Sequence, residues 1–195
     1  MASLSGTFAA VAEVARTGAV ATSDWASTTN ALVSDNARST HTDSALIPGF
    51  TNWMRFRDWS QRASIPNGAS IDGITVVFEV ANTGTLDAAD FVETSKVCLL
   101  VDLVIEETYV PTTNPLTTDW TAADINITFG AANQKWVGNP TYDQVQSANF
   151  GVVISAYREK GFELSPIPAI DSVTMTIDYT AVVGRQSFLP TLGVS

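Results

Sequence analysis

From residue 74 to residue 80 every second side chain is apolar: Ile74, Val76, Phe78 and Val80. Thr75 and Glu79 lie between them, and Val77 is the exception. The run is fed by Pro66-Asn67-Gly68, in which proline presets φ and Asn and Gly tolerate a tight backbone. The pattern returns at residues 173–179, where Val173, Met175, Ile177 and Tyr179 alternate with Thr174, Thr176 and Asp178 after Ser172. It appears again in the segment NFGVVISA at residues 149–156. Period two puts one set of side chains on one face of a strand. A helix with this spacing would scatter its apolar residues around its axis. Several such runs, separated by turns, must bury their apolar faces against a second sheet, which predicts an all-β, antiparallel β-sandwich.

The chain has 195 residues, enough for one large β domain. Only 15% of them are charged, and the formal net charge is −10. Nucleic-acid binding needs a basic footprint to displace counterions, and the ten Lys and Arg residues are scattered, apart from Arg55/Arg57/Arg62 and Arg158/Lys160. The same balance disfavours an anionic membrane surface. No stretch reaches the ~20 apolar residues of a membrane helix. The first residues, MASLSGTFAAVAEVARTG, lack a basic start, and Glu13 interrupts the apolar run, so they do not read as a secretory signal. The single cysteine, Cys98, lies in an apolar run and allows no internal disulfide, as expected for a chain made in a reducing cytoplasm.

Residues 1–20 read as an N-terminal arm, alanine-rich, with Phe8, Val11 and Val14 able to share one short helical face. Residues 22–45 read as a long polar excursion anchored by Trp25 and Leu32. Strands are expected at residues 52–59, 71–81, 94–105, 123–129, 134–137, 149–158 and 170–183, with one helical turn opened by Thr141. The run 94–105 is apolar on both parities and predicts a strand covered on both faces. The sandwich domain is placed at residues 21–183, and residues 184–195 form a C-terminal tail punctuated by Gly and Pro.

Several pieces occur together: Trp25 followed by Asn30-Ala31, IPNGASIDGI at residues 65–74, WTAADIN at 120–126, NFGV at 149–152, and Tyr179-Thr180 closing the last strand. In this combination the chain resembles a family of β-sandwich modules found in phage and prophage structural proteins and in some bacterial surface proteins. The resemblance covers residues 25–180. It departs from the pattern at residues 52–63, at the insert 130–147 and at both termini. It implies a structural role in a virion or on a surface and carries no catalytic residues, and the sandwich as a whole is expected to be jelly-roll-like, with N- and C-terminal arms.

Candidate sites follow from residue types. A Ser-His-Asp triad would need His41 as its base, and His41 lies in the polar stretch SDNARSTHTDS, which reads as an exposed loop. Zinc needs three or four ligands at fixed spacing, and the chain has one His and one Cys. Asp87, Asp90 and Glu93 form an acidic loop without the spacing or glycine of an EF-hand; it reads as solvated. Glu106 and Glu107 point to opposite strand faces. The sequon at Asn126 is accidental in a chain made in the cytoplasm. On an extended segment 52–59, Trp53, Arg55, Arg57 and Trp59 share one face, while Met54 and Phe56 share the core face. That aromatic and basic stripe is the expected partner-binding surface. Phe8, Phe188 and Leu189 are the expected anchors of the two arms on neighbouring chains.

These features predict a non-enzymatic component of a phage virion, assembled in the host cytoplasm, without cofactor or metal. An exterior capsid decoration or cementing protein that binds the major capsid protein, and forms a homo-oligomer, is the leading expectation. A carbohydrate-binding or receptor-binding module of a tail or fibre, using Trp53, Trp59 or Trp136 against a surface glycan, is the competing class. A tail or baseplate subunit is a further alternative.

Overall fold

The computed structural model describes residues 1–16, 19, 24–42, 48–85, 90–106, 118–159 and 166–182. Its strands are β1 (Ala2–Gly6), β2 (Phe8–Val14), β3 (Asp24–Ala26), β4 (Ser39–Thr42), β5 (Gly49–Phe50) and β6 (Trp53–Trp59). They continue with β7 (Ser70–Asn82), β8 (Phe91–Val101), β9 (Val104–Glu106), β10 (Ile125–Ala131), β11 (Gly151–Glu159) and β12 (Pro168–Thr180). All pair antiparallel in two six-stranded sheets. The first has the order β10-β7-β12-β4-β3, with β1 also beside β12. The second has the order β2-β6-β11-β8-β9, with β5 also beside β11.

β4 and β6 to β12 form an eight-stranded frame. Counted in chain order within it, the first sheet runs 6-3-8-1 and the second 2-7-4-5. This is the connectivity of a double-sheet jelly roll. Of the other four, β3 and β2 continue the sheets beyond β4 and β6, while β1 and β5 pair with the inner strands β12 and β11.

The alternating runs meet where their period predicts. In β7 and β12, Ile74 faces Ile177, Val76 faces Met175 and Phe78 faces Val173. All are at most 1% exposed and belong to one core. Phe8, Phe56, Phe78 and Phe129 form a chain of rings through it, with successive centroids 5.9, 6.2 and 5.8 Å apart. β8 is covered on both faces, as its composition requires: Val97, Leu99 and Val101 enter the core, while Cys98 and Leu100 enter a second apolar cluster.

Other segments depart from expectation. The N-terminal segment is not a helical arm. β1 pairs with β12 and β2 pairs with β6, so residues 2–14 cross from one sheet to the other. β4 meets β12 only at Ala169 and Ile170, which leaves the edge from Met175 to Tyr179 to β1. Alanine has little strand preference, and here the partners' backbone groups override it. The polar excursion contains β3, a 3-10 turn at Thr28–Leu32, and β4. Trp25 does anchor it, at 4% exposure, and Leu32 packs on the core.

The run 94–105 is a hairpin, broken where Asp102 and Leu103 take φ of 50° and 68°. Residues 134–137 make no strand; Trp136 is buried there, and its Nε1 donates to the Ile74 carbonyl at 2.9 Å. The helical turn α1 (Tyr142–Gln146) does open at Thr141, whose side chain and that of Gln144 form a capping box. Residues 184–195 lie outside the described residues.

Candidate interaction surface

The stripe predicted on β6 is only partly formed. Met54 and Phe56 lie in the core, and Trp53, Arg55 and Arg57 take the opposite parity. Asp58 then adopts φ 58°, a left-handed conformation that interrupts the alternation. Trp59 is consequently turned inward and fully buried, with Nε1 donating to the carbonyls of Gly6 at 3.2 Å and Met175 at 3.0 Å. It is no part of an exposed face. Trp53 is on the outer side of the second sheet but only 3% exposed, clustered with Cys98, Leu100 and Val153. Arg55 and Arg57 are half-buried. Phe8 faces Trp59 across β2 and β6 and is buried in the core, so it is no anchor for a neighbouring chain. Phe188 and Leu189 lie outside the described residues.

The guanidinium stacked on Trp53 is that of Arg16, 4.9 Å from the ring and 4.3 Å from the Phe50 ring. Arg16 Nη1 donates to the Ser155 hydroxyl at 2.5 Å and the Ser95 hydroxyl at 3.1 Å. Its backbone N–H donates to Asn52 Oδ1 at 3.2 Å. Arg16 lies in the segment expected to be an arm. Its only sequence signal is a lone arginine after an apolar segment.

Beyond Arg16 three aromatic side chains cross the sheet. Tyr157 on β11 faces Phe50 of β5 on one side and Glu93 of β8 on the other, and Glu159 faces Phe91. The Tyr157 ring lies 5.2 Å from Phe50 and 6.1 Å from Phe91. The register shift at Ser155/Ala156 makes this possible. It lets Phe91 and Glu93 share a face with Tyr157, while Val92 and Thr94 turn into the interior.

Tyr157 Oη donates to Glu159 at 2.6 Å. That bond, then burial and the charges of Glu159 and Glu93, pushes the phenol up to about 12. Burial raises the Glu93 carboxyl above its ordinary value, and the neighbouring charge of Asp119, joined to it by an isolated β-bridge, raises it further.

Other candidates fall elsewhere. His41 is not in an exposed loop. It is 1% exposed on β4, with its ring edge-on to Trp25 at 5.2 Å. Cys98 is a buried strand residue. Asp90 is not solvated but 6% exposed, and Asp87 lies outside the described residues. Among the described residues no three His, Cys, Asp or Glu side chains are grouped to hold a metal ion. On the first sheet, Arg38 grips Asp124 through two bonds of 2.8 and 2.5 Å, which hold the Asp124 carboxyl below its ordinary value. Asp171 is the extra residue at a bulge of β12; burial, then Glu79 and Asp124, raises its carboxyl.

Comparison with protein-family models, with curated proteins and with solved structures finds no match.

Proposed function

We propose that the protein is a structural component of a phage particle, an exterior capsid protein of the decoration or cementing kind. The observation that carries this reading is the jelly-roll connectivity braced by an N-terminal segment paired into both sheets. Double-sheet jelly rolls recur in capsid and lectin domains, and the step from fold to role is an analogy. The motif combination at residues 25–180 favours the virion side of that pair. The lectin side loses its expected platform, because Trp53, Trp59 and Trp136 are at most 3% exposed. A decoration protein works by binding only the assembled shell, which it stabilises by mass action.

Cryo-electron microscopy of the particles that carry the protein tests the reading. The expected result is density for this fold on the outside of the shell, at joints between capsomers. Density confined to the tail or baseplate, or none on the particle, would overturn it.

A further inference from the structure

We propose that the outer face of the second sheet at Phe50, Tyr157, Phe91, Glu93 and Glu159 receives a basic side chain, arginine or lysine, from a partner protein. The inference is independent of the virion reading, because it concerns the side chain this face accepts, whatever molecule supplies it. Three observations converge on it.

The first is the aromatic row itself. Three rings on adjacent strands remain partly open to solvent, Phe50 at 36% and Tyr157 and Phe91 half-buried. An aromatic face carries negative charge density and attracts a cation placed over it.

The second is charge. Glu159 and Glu93 flank the rings, and Asp119 stands beside Glu93. No ion pair to Glu93, Asp119 or Glu159 is seen among the described residues. The raised Glu93 carboxyl is the sign of a charge that burial and a like neighbour disfavour. A cation over Tyr157 and Phe91 offsets the repulsion between Glu93 and Asp119 and favours the ionised carboxylate. With a net charge of −10 the whole molecule also steers basic partners toward itself.

The third is that the same face already binds one arginine of its own. The Arg16 guanidinium lies against Phe50 and Trp53 and is fixed by two hydroxyls. The far end of the row offers the same ring chemistry, with carboxylates in place of hydroxyls. A neutral apolar partner would leave those carboxylates desolvated and without a counter-charge, which is costly.

The test uses the full-length protein and NMR of its aromatic side chains. The probe is an acetylated Gly-Gly-Arg-Gly-Gly amide. The control replaces arginine with citrulline, which keeps the shape and removes the charge. The arginine peptide is expected to give saturable shifts at Phe91 and Tyr157 at millimolar concentration, with the citrulline peptide binding several-fold more weakly. The double variant Glu93→Gln/Glu159→Gln should keep the folded spectrum and bind the arginine peptide on the order of tenfold more weakly. Absence of saturable shifts at these rings, equal binding of the citrulline peptide, or unchanged binding by the double variant would each overturn the proposal. So would an uncharged maltooligosaccharide that moves the same resonances while the arginine peptide does not, since the row would then be a sugar platform.

Discussion

Phe78 sits edge-on between Phe56 at 6.2 Å and Phe129 at 5.8 Å, with no solvent exposure. Neighbours on both sides are held in strands and cannot collapse into a vacated space. Phe78→Ala should therefore lower the unfolding free energy by ~3–5 kcal/mol, read from urea denaturation. A loss below ~1 kcal/mol would mean that the site repacks. Gly151 is the opposite case. A Cβ there would lie 1.9 Å from the Phe56 carbonyl oxygen and 2.9 Å from the Arg57 Cα, both in the paired strand β6. Gly151→Ala should cost at least ~2 kcal/mol in the same assay, although it adds one methyl group. A neutral outcome would show that β6 and β11 can separate freely. Trp53 and Trp59 lie on opposite faces of the sheet. Period two assigns both to one face, and one left-handed residue, Asp58, sends Trp59 to the other. Asp is among the residues that tolerate that conformation, yet nothing local requires it.

Among the elements, β1 and β2 carry the largest revision. The expectation of a detachable arm came from alanine-rich composition with no alternation. In the fold, these strands seal β12 and β6 along one side and deliver Phe8 to the core. Ser3 Oγ also donates to Asp178, tying β1 to β12. Gly6 allows the crossing, since a Cβ there would meet the Ser60 and Gln61 side chains at 2.5 and 2.7 Å. Deleting residues 1–14 should lower Tm by roughly 10 °C or more, from the loss of one buried Phe and two strand pairings. The exposed edges should also promote aggregation. Differential scanning calorimetry with light scattering checks both. An unchanged Tm would return the segment to the status of an arm. The hairpin β8–β9 is half legible: the apolar run is visible and Asp102 suits the first turn position, but Leu103 stands at the second, where Gly usually marks such a turn.

The whole molecule bears an excess of acid, and the fold makes several of those acids harder to ionise. Glu13, Glu93 and Asp171 are all raised, each chiefly by burial. A carboxyl raised in the folded state binds its proton more tightly there than in the unfolded chain. Its contribution to stability is therefore present at acidic pH and is lost as pH rises through the folded value. Asp124, lowered by Arg38, works in the other direction, losing its contribution only as pH falls below the ordinary carboxylate range. Relief of self-repulsion on partial neutralisation adds to the first effect. Tm should therefore rise from neutral pH toward ~5, at constant ionic strength, and fall again at more acidic pH. Asp171→Asn should flatten the rise. A Tm that decreases steadily from neutral toward ~5 would contradict this assignment.

By itself the sequence determined the class of fold and the alternating part of its core. Alternation is a property of consecutive residues, so Ile74, Val76 and Phe78, and Val173, Met175 and Ile177, declare their shared face before any partner is known. The capping box at Thr141 is local in the same way. Tertiary structure alone decided what depends on distant pairings: the strands of the N-terminal segment, the burial of His41, and the row of Phe50, Tyr157 and Phe91. Those three rings come from strands far apart in the chain. A one-residue register shift against β8 determines which of its side chains reach the outer face. No local pattern encodes such a shift, because its energy lies in the ladder formed with another strand.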